Sequence, residues 1–226
     1  MTDARAGWDD HGVTQVWDLV AVERRTLADF LATLSAEEWA VDSLCAGWTV
    51  RDGAAHVAWG NTSPPLQTVL AIVRGGFRAN AVNARLGREW GQRPTADIVA
   101  RLRAVADSRV HTPGTTPVDC LADVLCHDLD IRVPLGKPRI SPAGPFRLAL
   151  TRYVGLGFPL HLAFGANCKA VAKGLRLVAE DVGWTHGEGP TVQGSGSALM
   201  RALTGRAVGP EELSGPGAPA LYARLP

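Results

Sequence analysis

From Thr14 to Leu34 the apolar residues fall at Val16, Leu19, Val20, Val22, Leu27, Phe30, Leu31 and Leu34, with Arg24 and Arg25 on the opposite side. That three-and-four spacing predicts a helix with one buried face. Ser35-Ala-Glu-Glu38 is a capping box for a short turn. A second helix opens where Thr49 caps Val50-Arg51-Asp52, carries Ala54, Ala55, Val57 and Ala58 as its apolar body, and ends near Gly60-Asn61. Pro64-Pro65 precede a third stretch, broken at Gly75-Gly76 and resuming from Phe77 to Trp90. Thr95 is the expected cap of a helix through Ile98, Leu102 and Val105. Pro117 opens another that runs to about Arg132 and is stopped by Pro134 and Gly136. Long helices joined by short turns predict a four-helix-type bundle.

The pattern changes after that point. "GKPRISPAGP" is a Pro/Gly linker, so the expected division is a helical domain over residues 1–138 and a small α+β domain over 142–226. A helix is expected from Phe146 to Phe164. Two strands with a Gly-rich connection are expected in "GLRLVAEDVGWTHGEGPTVQGSG", a last helix from Gly196 to Gly205, and a final strand or tail in "PGAPALYARLP".

Composition narrows the function classes. Net charge is +1 and no basic stripe stands out, which argues against nucleic acid as a partner. The opening MTDARAGWDDHG lacks a signal-peptide core, and the greasiest stretch, Tyr153 to Phe164, is too short to span a bilayer. Cys45, Cys120, Cys126 and Cys168 are scattered without a CxxC pair. A cytoplasmic protein with reduced thiols, no membrane partner, and a monomeric or homodimeric state is the expectation.

Against this background His56 is conspicuous, a polar ring in an otherwise apolar helix. In "DVLCHDLD", Asp123 and His127 stand four apart and so share one helix face, a spacing at which two side chains reach one ion. His56, from a separate helix, would complete a set of two imidazoles and one carboxylate. Such a set leaves a coordination position open, the mark of a catalytic rather than a structural site. Ordinary packing also produces Asp–His pairs at this spacing. Asp130, on the same face, is either a competing ligand or a group that orients an imidazole. Cys126 faces elsewhere on the helix, and Trp48, Trp59 and Trp90 are core bulk or pocket walls.

"SLCAGWTVRDGAAHVAWG" resembles the pattern around the first metal histidine of the mycothiol-dependent maleylpyruvate isomerase family, within the DinB-like superfamily. "DVLCHDLDIRVPLG" is similar to its second motif, and "GLRLVAEDVGWTHGEGPTVQGSGSALMRALTGR" to its carboxy-terminal domain. The resemblance covers nearly the whole chain. It implies a DinB-like bundle holding a divalent metal, usually zinc, on His56, Asp123 and His127, with Asp123 standing where the family isomerase has Glu. It further implies mycothiol as a low-molecular-weight thiol cosubstrate and a functional arginine in the carboxy-terminal domain, for which Arg201 and Arg206 are the candidates. The plainer reading of those two is a solvated helix face and a C-cap. The expected function is a metal-dependent isomerase or S-transferase acting on a small electrophile, one bearing a carboxylate, through a metal-bound thiolate. The alternatives are a non-catalytic thiol- or metabolite-binding protein on the same bundle and a metal-assisted hydrolase.

Overall fold

The computed structural model describes residues 10–62, 70, 73–74, 79–157 and 167–225. Helix α1 spans Asp10–Leu31. It stops short of Leu34, where the Thr33 hydroxyl takes the Phe30 carbonyl and turns the chain. The short α2, Ala36–Trp39, carries the expected Ser35/Glu38 capping box. α3, Val50–Trp59, is opened by Thr49 and Asp52 in the same reciprocal arrangement, and continues into a single 3-10 turn, Gly60–Thr62. Most of the stretch from Pro64 to Phe77, including the expected break at Gly75-Gly76, lies outside the described residues. α4 spans Ala79–Gly91 and α5 Thr95–Ala104. Thr95 is not the cap of α5. Pro94 takes that place, extended, and its carbonyl already accepts from Asp97 and Ile98.

α6, Pro117–Arg132, organises the molecule. Thr116 caps it, Asp119 closes the capping box, and Pro117 sits in the first turn where its missing N–H costs nothing. From Asp119 to Arg132 nearly every residue is buried, because α6 lies between two apolar clusters. One face meets α1 and α3 through Val124 and Ile131. The other, with Leu121, Leu125 and Leu129, joins a cluster continuing into the carboxy-terminal elements. A helix buried on all sides has no wet face for its polar residues, so each must find a partner inside the protein. Asp119 accepts from Arg152 Nε (2.6 Å) and Nη2 (3.1 Å). Asp128 accepts from Arg132 Nε (2.7 Å) and Arg139 Nε (2.9 Å), fastening the linker to the bundle. The remaining polar residues of α6 form the site described below.

α7 spans Ala143–Gly155, where a helix over 146–164 was expected. It starts earlier because Pro142 and Pro145 suit a helix entrance, and it ends where Leu156 turns extended between Gly155 and Gly157. Phe158 to Phe164 lie outside the described residues. α8, Cys168–Ala172, leads into a four-stranded sheet of order β2-β1-β3-β4. Its strands are β1 Arg176–Ala179, β2 Trp184–His186, β3 Thr191–Gly194 and β4 Leu213–Ser214. The expected pair of strands is therefore three. β1 and β2 form an antiparallel hairpin whose turn uses Gly183 at φ 62, and β3 pairs parallel to β1. α9, Gly196–Leu203, is capped by Ser195 and packs on α7. The closing segment is a short helix, α10, Ala218–Tyr222, rather than a strand, with proline in its first turn. A helical bundle followed by a small sheet-containing part matches the expected fold class. No helix among the described residues is long and apolar enough to cross a membrane.

Candidate metal centre

His56 is on α3 and Asp123 and His127 are on α6, two helices packed side by side. Asp123 Oδ1 lies 3.7 Å from His56 Nε2 and 3.6 Å from His127 Nε2. The three ligand atoms are all within 4.8 Å of one another. Donors on a tetrahedral zinc at roughly 2.0–2.2 Å lie about 3.3–3.6 Å apart, so the two separations from Asp123 are close to that spacing as they stand. The aspartate arm, a methylene shorter than glutamate, still reaches both rings. Burial opposes charge on Asp123, yet the two imidazoles and Arg206 hold its carboxyl below the usual range.

The imidazoles are supported differently. His127 Nδ1 lies 2.9 Å from Asp130 Oδ2. Asp130 is fully buried, and Arg206 donates to both its oxygens, Nε to Oδ1 and Nη2 to Oδ2, each at 3.0 Å. Burial works against the Asp130 carboxylate, but Arg206 and His127 outweigh it and hold its carboxyl down at about 2. An ionised carboxylate only accepts, so in the neutral ring of His127 the proton belongs on Nδ1 and the lone pair on Nε2, the side where Asp123 lies. Asp130 lies outside the three-residue cluster and is taken up by His127 and Arg206. His56 has no such support: its Nδ1 is buried without a hydrogen-bond partner among the described residues. The Trp48 ring covers both imidazoles, 5.0 Å from His56 and 5.7 Å from His127, and its Nε1 donates to the Ala84 carbonyl.

The cluster opens into a cavity of about 330 Å³. Trp48, Asn83, Cys45, Cys126, Tyr153 and Arg206 contribute to its wall. Of the two candidate arginines the structure brings only Arg206 to the site. Through Asp130 its guanidinium also ties the chain after α9 to α6, while Nη1 donates to the Thr204 carbonyl. Arg201 is not on a solvated face. It is buried, donates to the Ala207 carbonyl, and pairs with Glu212 away from the cavity. The cavity thiols are poor nucleophiles: burial pushes Cys45 up to about 11 and Cys126 to about 12. Asn83 and Tyr153 had no signal in the sequence that marked them for a site. Among the other histidines, His111 packs on Trp17 and His186 stacks on Trp184.

Fold and site together define a class: a helical bundle in which two imidazoles and a carboxylate from neighbouring helices converge beside a polar cavity, a donor set suited to a divalent metal. The family described as the mycothiol maleylpyruvate isomerase N-terminal domain matches residues 20–132, half of the sequence, and the chain belongs to it. Two solved structures share the fold. One, a mycothiol-dependent maleylpyruvate isomerase, is 16% identical with a TM-score of 0.52, covering 91% of this chain and 93% of that one. The other, a histidine-to-alanine mutant of the mycothiol-dependent maleylpyruvate isomerase, is 14% identical with a TM-score of 0.50 and the same coverage. No curated protein matches the sequence.

Proposed function

We propose that this family member is a thiol-dependent isomerase or S-transferase that binds a divalent ion, zinc in the first instance, on His56, Asp123 and His127. Convergence of three ligand atoms within 4.8 Å at a cavity wall is the observation that carries the reading. When bound there, zinc lowers the pKa of a thiol and leaves a position open to it. The chain's residues do the rest. Asp130 holds His127 in one tautomer, and Arg206 keeps Asp130 ionised. Trp48 and Tyr153 wall the site against water, and Asn83 supplies a polar edge. Arg206 gives the cavity a guanidinium near which a substrate carboxylate is favoured.

The thiol is mycothiol, by the family's own chemistry, and not one of the protein's cysteines, whose high pKa values keep them protonated. Addition of that thiol to an electrophilic double bond, rotation and elimination returns the other geometric isomer; retention of the adduct is S-transfer. Maleylpyruvate is the first substrate to test. The setting is cytoplasmic, with small molecules as partners.

Metal analysis of the purified protein beside His56→Ala and His127→Ala, with turnover measured with and without added mycothiol, tests the proposal. Near-stoichiometric zinc in the parent, large losses in both variants and thiol-dependent turnover are expected. Equal metal in all three proteins refutes the metal assignment. Turnover independent of thiol points to metal-assisted hydrolysis instead, and metal and thiol binding with no turnover points to a binding protein.

A further inference from the structure

Gly60 ends α3 in a helical conformation, φ −54 and ψ −63, which any L-residue adopts. Its backbone therefore does not require glycine, and alanine would be the more stable choice by propensity. The space around it explains the residue. A β-carbon at position 60 would sit 2.9 Å from His56 Cε1, 3.1 Å from Nδ1 and 3.3 Å from Nε2, so the imidazole lies against the bare α-carbon. The same holds one layer out. Gly87 is inside α4, and a β-carbon there would come within 2.6 Å of Trp48 Cζ2 and 2.8 Å of Cε2. Trp48 in turn packs on His56, and His127 meets His56 edge-on at 4.8 Å between centroids.

We propose that Gly60 is a positioning residue for the His56 ligand, with Gly87 playing the same part for Trp48. The ring of His127 is aimed by a hydrogen bond to Asp130. The ring of His56, whose Nδ1 has no partner among the described residues, is aimed by shape: indole on one side, the hollow at Gly60 on another. An alanine methyl at 60 displaces the imidazole from the direction that points Nε2 at Asp123 Oδ1. The inference rests on the metal reading above.

The test is Gly60→Ala, with two readouts: zinc affinity by competition with a chromophoric chelator, and thermal unfolding of the metal-free protein. The expected result is a loss of at least tenfold in zinc affinity, of the size found when a ligand loses its outer support. The metal-free midpoint should be unchanged or higher, because helical Gly→Ala stiffens the unfolded chain. A purely structural glycine would give the opposite pattern. Zinc affinity within twofold of the parent overturns the inference, as does a metal-free protein that is destabilised or fails to fold. If the parent itself binds no zinc, the metal reading fails instead, so the two failures are distinct.

Discussion

Asp130→Asn changes one fully buried carboxylate into an amide of nearly the same shape. In the native protein that carboxylate accepts from Arg206 twice at 3.0 Å and pairs with His127 at 2.9 Å. Its carboxyl is held at about 2 against an ordinary 3.8, despite a burial that pulls the other way. A depression of that size is worth about 2 kcal/mol of stability net of desolvation. Replacement also takes from the Arg206 guanidinium, 12% exposed, the carboxylate it pairs with at 3.0 Å. Breaking such a pair typically costs about 3–5 kcal/mol. The expected loss in the metal-free protein at pH 7 is therefore about 2–5 kcal/mol, read by urea unfolding. Because the native pKa is depressed, the stabilisation is complete above pH 3.8 and disappears as pH falls toward 2. The parent-minus-variant gap should be flat near neutrality and close in acid. The amide cannot hold His127 as an anion does, so zinc affinity should fall by about 10–100-fold. A gap under about 1 kcal/mol at pH 7, or one that persists unchanged to pH 2, would refute the assignment of charge to this pair.

The two carboxy-terminal arginines should separate cleanly. Arg206→Ala is expected to weaken zinc binding through Asp130, whereas Arg201→Ala, which loses Glu212 and the Ala207 carbonyl, should lower the unfolding midpoint and leave zinc affinity within twofold. Burial pushes Cys120 and Cys126 to about 12 and Cys45 and Cys168 to about 11. All four should accordingly react slowly with iodoacetamide at pH 7.5 in the folded protein and quickly in urea; fast labelling of the native chain would contradict an external thiol as the nucleophile.

Local rules made much of this protein legible. Thr49 with Asp52 and Thr116 with Asp119 mark helix starts because a cap needs only residues three apart. Where local signals misled, a neighbour had changed the competition: Pro94 displaced Thr95 as a cap, and prolines moved the entrance of α7 ahead of Phe146. The closing segment is a helix with proline in its first turn, and its Tyr222 hydroxyl accepts from Leu213 N–H and donates to the Gly209 carbonyl.

By itself the sequence determined that Asp123 and His127 share a face, that Asp130 joins them, and that His56 sits in an apolar helix, since 3.6 residues per turn dictates those relations. Only the tertiary structure decided that α3 and α6 pack with His56 opposite Asp123, and that Arg206 rather than Arg201 turns to the site. It alone showed that the His56 ring lies against the bare α-carbon of Gly60. Contacts between residues tens of positions apart depend on how helices cross and which side chains interlock, and no periodicity along the chain encodes that.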